Sequence, residues 1–201
     1  MASKNNKQIC LASRPTGWVT AENFELTERP VPKPGGGEVL VRNVFMSVDP
    51  YMRGRMNDVK SYVPPFQIGE VLQASVVGEV IDSQYDGIET GDYVTGMLGW
   101  ENYSVCDGRT LRQVHPGLAP LSYHLGILGM PGMTAYVGLM QIAKAKPGDT
   151  VFVSAASGAV GSVVGQLAKI CGCRAVGSAG SDDKVALLTK DFGYEAGINY
   201  R

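Results

Sequence analysis

A chain of 201 residues, 44% hydrophobic and only 18% charged, with a formal net charge of −1, can bury one good core or two modest ones. It has no basic footprint for nucleic acid, and Gly, Pro or a charge interrupts every apolar run before bilayer-spanning length, so neither nucleic acid nor a membrane is expected as a partner. The polar start MASKNNKQIC lacks a signal peptide's apolar core, and Cys10, Cys106, Cys171 and Cys173 have neither zinc spacing nor disulfide-framework density, which reads as reduced thiols in a cytoplasmic protein.

The first part of the chain reads as strands and turns. ICLASRP and FELTERPVPKPGGGEVLVRNVFMSVD are β-type runs punctuated by Pro30, Pro32, Pro34 and Gly35 to Gly37. VLQASVVGEVIDSQ predicts a strand in which Gly78 allows a bend or bulge. GIETGDYVTGML and ENYSVCD add two more, and short strands with glycine-rich corners suggest a small barrel. Near Leu121 the texture changes. LSYHLGILGMPGMTAYVGLMQIAKAKPGDT has apolar residues at helical spacing, broken at Gly129 to Gly132 and stopped by Pro147–Gly148. A boundary near Pro120 to Leu125 divides the chain into domains 1–124 and 125–201.

The last part is a strand–turn–helix–strand unit. An apolar run, Val151 to Ser154, meets only small residues at Ala155 to Ala159 before Val160 and Gly161 open a periodic segment. Arg174 to Gly177 is the second strand, Ser181 caps a helix in DDKVALLTKDFG, and AGINYR starts a third strand. Ala156-x-Gly158-x-x-Gly161 is the dinucleotide fingerprint with Ala for its first Gly; here a helix N-terminus and backbone N–H groups meet at one point, a ready phosphate site. The same pattern also occurs where a helix only packs closely on a strand. The NAD version wants an acid at the end of the second strand, where this chain has Ser178, Ala179, Gly180 and Ser181. Those small residues leave room for a 2′-phosphate that Lys184 could neutralise, which points to NADP; a solvated helix lysine is the plainer alternative.

VDPYMRGRM (Val48–Met56), LGMPGMTAYVGL (Leu128–Leu139), SAASGAVGSVVGQLAK (Ser154–Lys169) and GSAGSDDK (Gly177–Lys184) together resemble the zinc-free medium-chain dehydrogenase/reductase superfamily. The branch is that of the prostaglandin reductases, plant alkenal double-bond reductases and bacterial curcumin reductases, and the likeness runs over nearly the whole chain. It implies a GroES-like β-barrel followed by the first part of a Rossmann doubly wound domain. It further implies NADPH as cofactor and reduction of the C=C bond of α,β-unsaturated aldehydes and ketones, with hydride going to the β-carbon while donors stabilise the enolate oxygen. By the same resemblance, Pro50 and Tyr51 approach cofactor and substrate, and Thr134 reaches the nicotinamide. Trp100, with Tyr103, edges the substrate pocket, and Tyr200 lies near the adenosine phosphate.

For each of these a plainer role stands beside the functional one. Tyr51 also fits a buried barrel tyrosine, Thr134 a packing residue, and Trp100 an exposed turn aromatic. Met130 and Met133 line an apolar pocket or belong to a core. The cofactor-binding set is thus Pro50, Tyr51, Thr134, Ala156, Ser157, Gly158, Ala159, Val160, Gly161, Ser181, Lys184 and Tyr200. The substrate set is Tyr51, Trp100 and Met130, and no residue is assigned as catalytic. The stretch Met46 to Asp49 and QIGEV lack the Cys and His that zinc-dependent members carry, so no metal is expected. A zinc-free quinone reductase and a non-catalytic dinucleotide-binding relative remain alternatives. A doubly wound sheet needs more strands than these, so the chain reads as the front part of a longer protein, a homodimer when complete.

Overall fold

The computed structural model describes residues 5–201, which fall into two compact units divided between His124 and Leu125. In the first, β1 (Asn5–Leu11) pairs antiparallel with β2 (Phe24–Pro30). Five more strands form an antiparallel sheet in the order β6-β3-β4-β5-β7. They are β3 (Glu38–Met46), β4 (Gln73–Ser83), β5 (Tyr93–Gly99), β6 (Tyr103–Asp107) and β7 (Arg112–Val114). Isolated bridges at Gln8–Glu101, Cys10–Val71 and Leu11–Ile68 tie β1 to the segments flanking that sheet. Strand β2 stops at Pro30, and β3 starts directly after Gly37, whose φ of +82° lies where glycine is favoured.

Two apolar clusters hold this unit. Val39, Val41, Val76, Val80, Val94 and Leu98, from β3, β4 and β5, pack together with Ile88 from the turn between β4 and β5. Leu11, Met52, Met56, Phe66, Leu72 and Ala74 form the second, with Tyr51 and Trp100 packed on it. The bend expected at Gly78 is a register shift between Asn43 and Phe45 on the facing strand, opposite that glycine. A Cβ at Gly78 would lie 2.3 Å from Val41 Cγ1 and 2.6 Å from the Arg42 carbonyl oxygen, so the irregular pairing depends on its absence.

The second unit starts its regular structure with α2 (Met130–Tyr136), since the short helix α1 (Tyr51–Arg55) belongs to the first. The expected break at Gly129 to Gly132 falls slightly earlier: the chain is non-helical at residues 126–129, Gly129 precedes α2, and Gly132 sits inside it. Gly132 is needed for contact, because a Cβ there would fall 1.8 Å from the Ile127 carbonyl oxygen. A π-helical turn, Val137–Ile142, follows, with Ala143 N–H donating to the Gly138 carbonyl at 2.9 Å. The helical stretch ends there, ahead of Pro147–Gly148, because Lys144 takes φ +53°.

Next come β8 (Thr150–Val153), α3 (Gly161–Ile170), β9 (Arg174–Ala179), α4 (Asp182–Lys190) and β10 (Ala196–Asn199). The strands form a parallel sheet in the order β10-β9-β8. Alternate residues of β9, Ala175, Gly177 and Ala179, are buried, and their small size lets neighbouring elements approach closely. Leu139, Val153, Ala156, Ala168, Leu188 and Tyr194 complete the core. Among the described residues no helix is long and apolar enough to cross a membrane.

Candidate functional site

The turn between β8 and α3 is built by a division of labour among its small residues. Ala155 enters at φ +48°, a left-handed conformation that swings the chain toward the helix. Ala156 is fully buried, its N–H donates to the Ser178 carbonyl at 2.9 Å, and it thereby joins the turn to β9. Gly161 serves packing: a Cβ there would lie 2.7 Å from the Ala155 carbonyl oxygen and from Ala156 Cα. Gly158 is different. A Cβ there would meet only the Ala155 carbonyl oxygen, at 3.2 Å, so its missing side chain faces open space rather than protein.

Around that opening the backbone is unspent. Gly158 N–H closes the turn on the Ala155 carbonyl at 2.9 Å, whereas the N–H groups of Ser157, Ala159 and Val160 make no hydrogen bond among the described residues. They stand before a helix of 10 residues with no acidic side chain in its first turn. Orphan donors together with the positive end of the helix dipole form an anion site. A dinucleotide pyrophosphate fits this cradle: the one position whose side chain would fill it has none, and its donors have no competing partner.

A second feature lies at the end of β9. Ser181 caps α4, its hydroxyl accepting from Lys184 N–H at 3.5 Å, and the Lys184 side chain is exposed. Asp182 and Asp183 stand in the first turn of α4, and the Asp182 carboxylate accepts from Asn199 Nδ2 at 2.7 Å. Tyr200 comes up against this corner: a Cβ at Gly180 would be 2.8 Å from the Tyr200 hydroxyl and 3.6 Å from Arg201 Nε. Sequence reasoning singled out Ser181, Lys184 and Tyr200 but missed Arg201, a second cation at Gly180. Its contact is made across the sheet, so no local motif announced it.

In the first unit, α1 places Tyr51 on the rim of a cleft of about 340 Å³ lined also by Gly54, Arg55, Asn57, Val59, Lys60, Ser61, Tyr62, Val63 and Pro65. Ser47 Oγ donates to Asp49 Oδ2 at 2.6 Å, and Met52 N–H donates to the Asp49 carbonyl at 3.0 Å, so SVDP starts the helix. Tyr51 is half-buried: it packs on the Leu11–Met52 cluster and also lines the cleft. Burial first, then the Asp49 charge, raises its pKa, which keeps the phenol protonated and able to donate. That hydroxyl has no hydrogen-bond partner among the described residues. Pro50, just ahead of it, is exposed.

Two arginines of α1 that sequence reasoning did not assign tie this helix to neighbouring segments. Arg53 donates through Nε and Nη2 to the Gly17 carbonyl at 3.0 and 2.7 Å and through Nη2 to that of Pro15 at 3.1 Å. Arg55 stacks 4.0 Å over the Phe66 ring while its Nε donates to the Pro64 carbonyl at 3.0 Å.

Trp100 does not line the cleft. Its main chain is pinned between Leu72 and Ile9, its indole packs on the same apolar cluster as Tyr51, and the buried Nε1 lacks an acceptor among the described residues. An exposed turn aromatic is therefore ruled out for Trp100, and its neighbour Tyr103 is buried. The adjacent Glu101 fastens the turn, accepting from Asn6 Nδ2 at 2.8 Å, Gln8 Nε2 at 2.6 Å and Ser104 Oγ at 2.7 Å. Met130 and Met133, on α2, are exposed and stand outside their unit's core, and Thr134 beside them is exposed too.

Two of the four cysteines are held as thiols. Burial pushes the Cys106 thiol up to about 11 and raises that of Cys173, so both stay protonated at neutral pH.

Residues 7–114 match a protein-family model described as the N-terminal domain of oxidoreductase. An NADPH-dependent curcumin reductase of Escherichia coli is 44% identical over 98% of this chain and 57% of its own length. A 2-alkenal reductase (NADP(+)-dependent) of Nicotiana tabacum is 46% identical over 98% of this chain and 59% of its own. The crystal structure of CurA from Vibrio vulnificus in complex with NADPH superposes with a TM-score of 0.92 at 45% identity, covering 97% of this chain and 58% of that one. The chain thus spans 57–59% of the length of these relatives.

Proposed function

Because the chain belongs to the zinc-free medium-chain dehydrogenase/reductase family, through the oxidoreductase N-terminal domain that it matches, we propose that the protein reduces the C=C bond of α,β-unsaturated aldehydes and ketones with NADPH. The observation that carries this reading is the turn at Gly158, open on its ligand side and ringed by uncommitted N–H groups. The absence of an acid at Ser178 to Ser181 supports the phosphorylated cofactor.

In this reading Ser157, Gly158, Ala159 and Val160 take the pyrophosphate, with the dipole of α3 behind them. Ala156 and Gly161 keep that turn tight from the protein side. Ser181, Lys184, Tyr200 and Arg201 surround the 2′-phosphate, two cations and two hydroxyls against a dianion. When bound, NADPH supplies the hydride. Tyr51 contributes a protonated phenol that can donate to the substrate carbonyl oxygen as charge develops there, and Val59 and Val63 offer the apolar wall an alkenal chain would contact. Pro50 and Thr134 are assigned to the cofactor and Trp100 to the substrate on resemblance alone, and Met130 to the substrate as an exposed apolar side chain of α2.

The test is NADPH oxidation by the whole protein with an enone, an enal and a quinone in parallel, and with NADH in place of NADPH. Turnover of the enone and enal with NADPH supports the proposal. Turnover of the quinone alone makes it a quinone reductase, and nucleotide binding without turnover of any acceptor makes it a non-catalytic relative.

A further inference from the structure

Tyr194 lies between α4 and β10, 3% exposed, and none of the motifs discussed above includes it. Its ring fills the space left by two glycines on different elements. A Cβ at Gly165 of α3 would lie 2.0 Å from the ring's Cε2, and one at Gly177 of β9 would lie 2.9 Å from Cε1. The hydroxyl donates to the Gly161 carbonyl oxygen at 2.6 Å. In an uninterrupted α-helix that carbonyl would serve the N–H of Gly165 alone. Burial pushes the Tyr194 phenol up to about 12, while a backbone hydrogen bond from Gly165 pulls the other way. The hydroxyl therefore stands at the first rung of α3, between Gly161 and Gly165.

A phenylalanine would fill the same slot without bringing a polar atom into the core. A buried hydroxyl costs desolvation that only a well-made hydrogen bond offsets. Here that bond is spent on the carbonyl of the last residue of the nucleotide turn. We propose that Tyr194 is a positioning residue for the cofactor: its hydroxyl holds the Gly161 carbonyl, and through it the first turn of α3, so that the N–H groups of Ser157, Ala159 and Val160 stay aimed at one anion. This rests on the NADPH reading above. The phenol stays protonated through the physiological range, so the device works as a fixed strut and not as a pH switch.

The test compares Tyr194→Phe with a control, Cys173→Ala, in the whole protein. Cys173 lies just before β9, at the far end of the strand from the turn, and its Sγ donates to the Lys146 carbonyl at 3.1 Å. NADPH and NADH affinities are measured by fluorescence titration, thermal unfolding is recorded, and backbone hydrogen exchange is followed without nucleotide. Tyr194→Phe is expected to weaken both nucleotides about fivefold, the loss of one buried hydrogen bond's worth of preorganisation, with kcat within about twofold of the parent. Exchange should speed up at residues 162–165 and not across the unit. Cys173→Ala should lower the melting temperature but leave both affinities unchanged.

If Tyr194→Phe lowers the melting temperature while both affinities stay at the parent values, the tyrosine only packs and the inference is overturned. If the parent binds neither nucleotide, the proposed function fails, and hydrogen exchange then decides the positioning role. Acceleration confined to the first turn of α3 supports it, and acceleration spread evenly through the unit overturns it.

Discussion

Replacing the two glycines of the nucleotide turn should have opposite consequences, although both belong to one motif. At Gly161 even alanine is too large: its Cβ would sit 2.7 Å from the Ala155 carbonyl oxygen and Ala156 Cα and 2.8 Å from the Ala156 carbonyl oxygen. All three contacts are to turn backbone, so relief requires the start of α3 to shift away from Ala155 and Ala156. Overpacking of this kind costs about 1–3 kcal/mol, which for a domain of this size lowers the melting temperature by roughly 3–10 °C. At Gly158 a Cβ meets one oxygen at 3.2 Å and is otherwise in the open. Gly158→Val should therefore change stability by no more than about 1 kcal/mol. Its γ-methyls, however, stand where a pyrophosphate would lie, and NADPH binding should fall by about 100-fold or more. Differential scanning fluorimetry and NADPH titration on the two variants separate the effects. If Gly158→Val unfolds the protein while Gly161→Ala leaves it intact, the assignment of ligand side and packing side is refuted.

Lys184→Ala should weaken NADPH about tenfold, as expected for one charge-assisted contact to a phosphate, and leave NADH nearly unchanged; equal losses in parallel titrations would remove Lys184 from the 2′-phosphate site. Tyr51→Phe should lower kcat about tenfold with little change in KM, since the donor matters most when charge develops; an unchanged kcat would assign Tyr51 to packing alone. Because the pKa of Tyr51 is raised, the parent should show no loss of kcat from its deprotonation on going from pH 7 to about pH 9. Gly78→Ala should destabilise the first unit by about 2 kcal/mol or more, because the new Cβ would fall 2.3 Å from Val41 Cγ1; chemical denaturation reads this directly.

Much of the second unit was legible because its signals are local. Val151 to Lys184 carries strand, turn, helix cap and second strand in one continuous stretch, and β8 but for Thr150, α3, β9 and the first turn of α4 lie there. Most strands of the first unit were legible from their Pro and Gly boundaries, but β7 was not read at all, and β1 starts at Asn5, ahead of the ICLASRP run. What stayed hidden depends on partners far along the chain. Gly165 and Gly177 look like ordinary weak points of a helix and a strand until the Tyr194 ring is seen against both. Gly132 reads as a helix breaker, yet it is a helix residue that must pass the Ile127 carbonyl. Arg53 drew no assignment from the sequence, but it holds the carbonyls of Pro15 and Gly17. The candidate site was legible in proportion: the turn from its spacing, the corner at Ser181 and Lys184 from a missing acid, and the cleft beside Tyr51 only once α1 and the loop after it were placed.

The most direct test of the proposed chemistry is the fate of a labelled hydride. The whole protein is given an enone and NADPH carrying deuterium at the transferring position, and the product is examined by NMR. The account predicts a saturated ketone with deuterium on the former β-carbon. Deuterium on the carbonyl carbon of an allylic alcohol, or an enone recovered intact while a quinone is reduced, would contradict it.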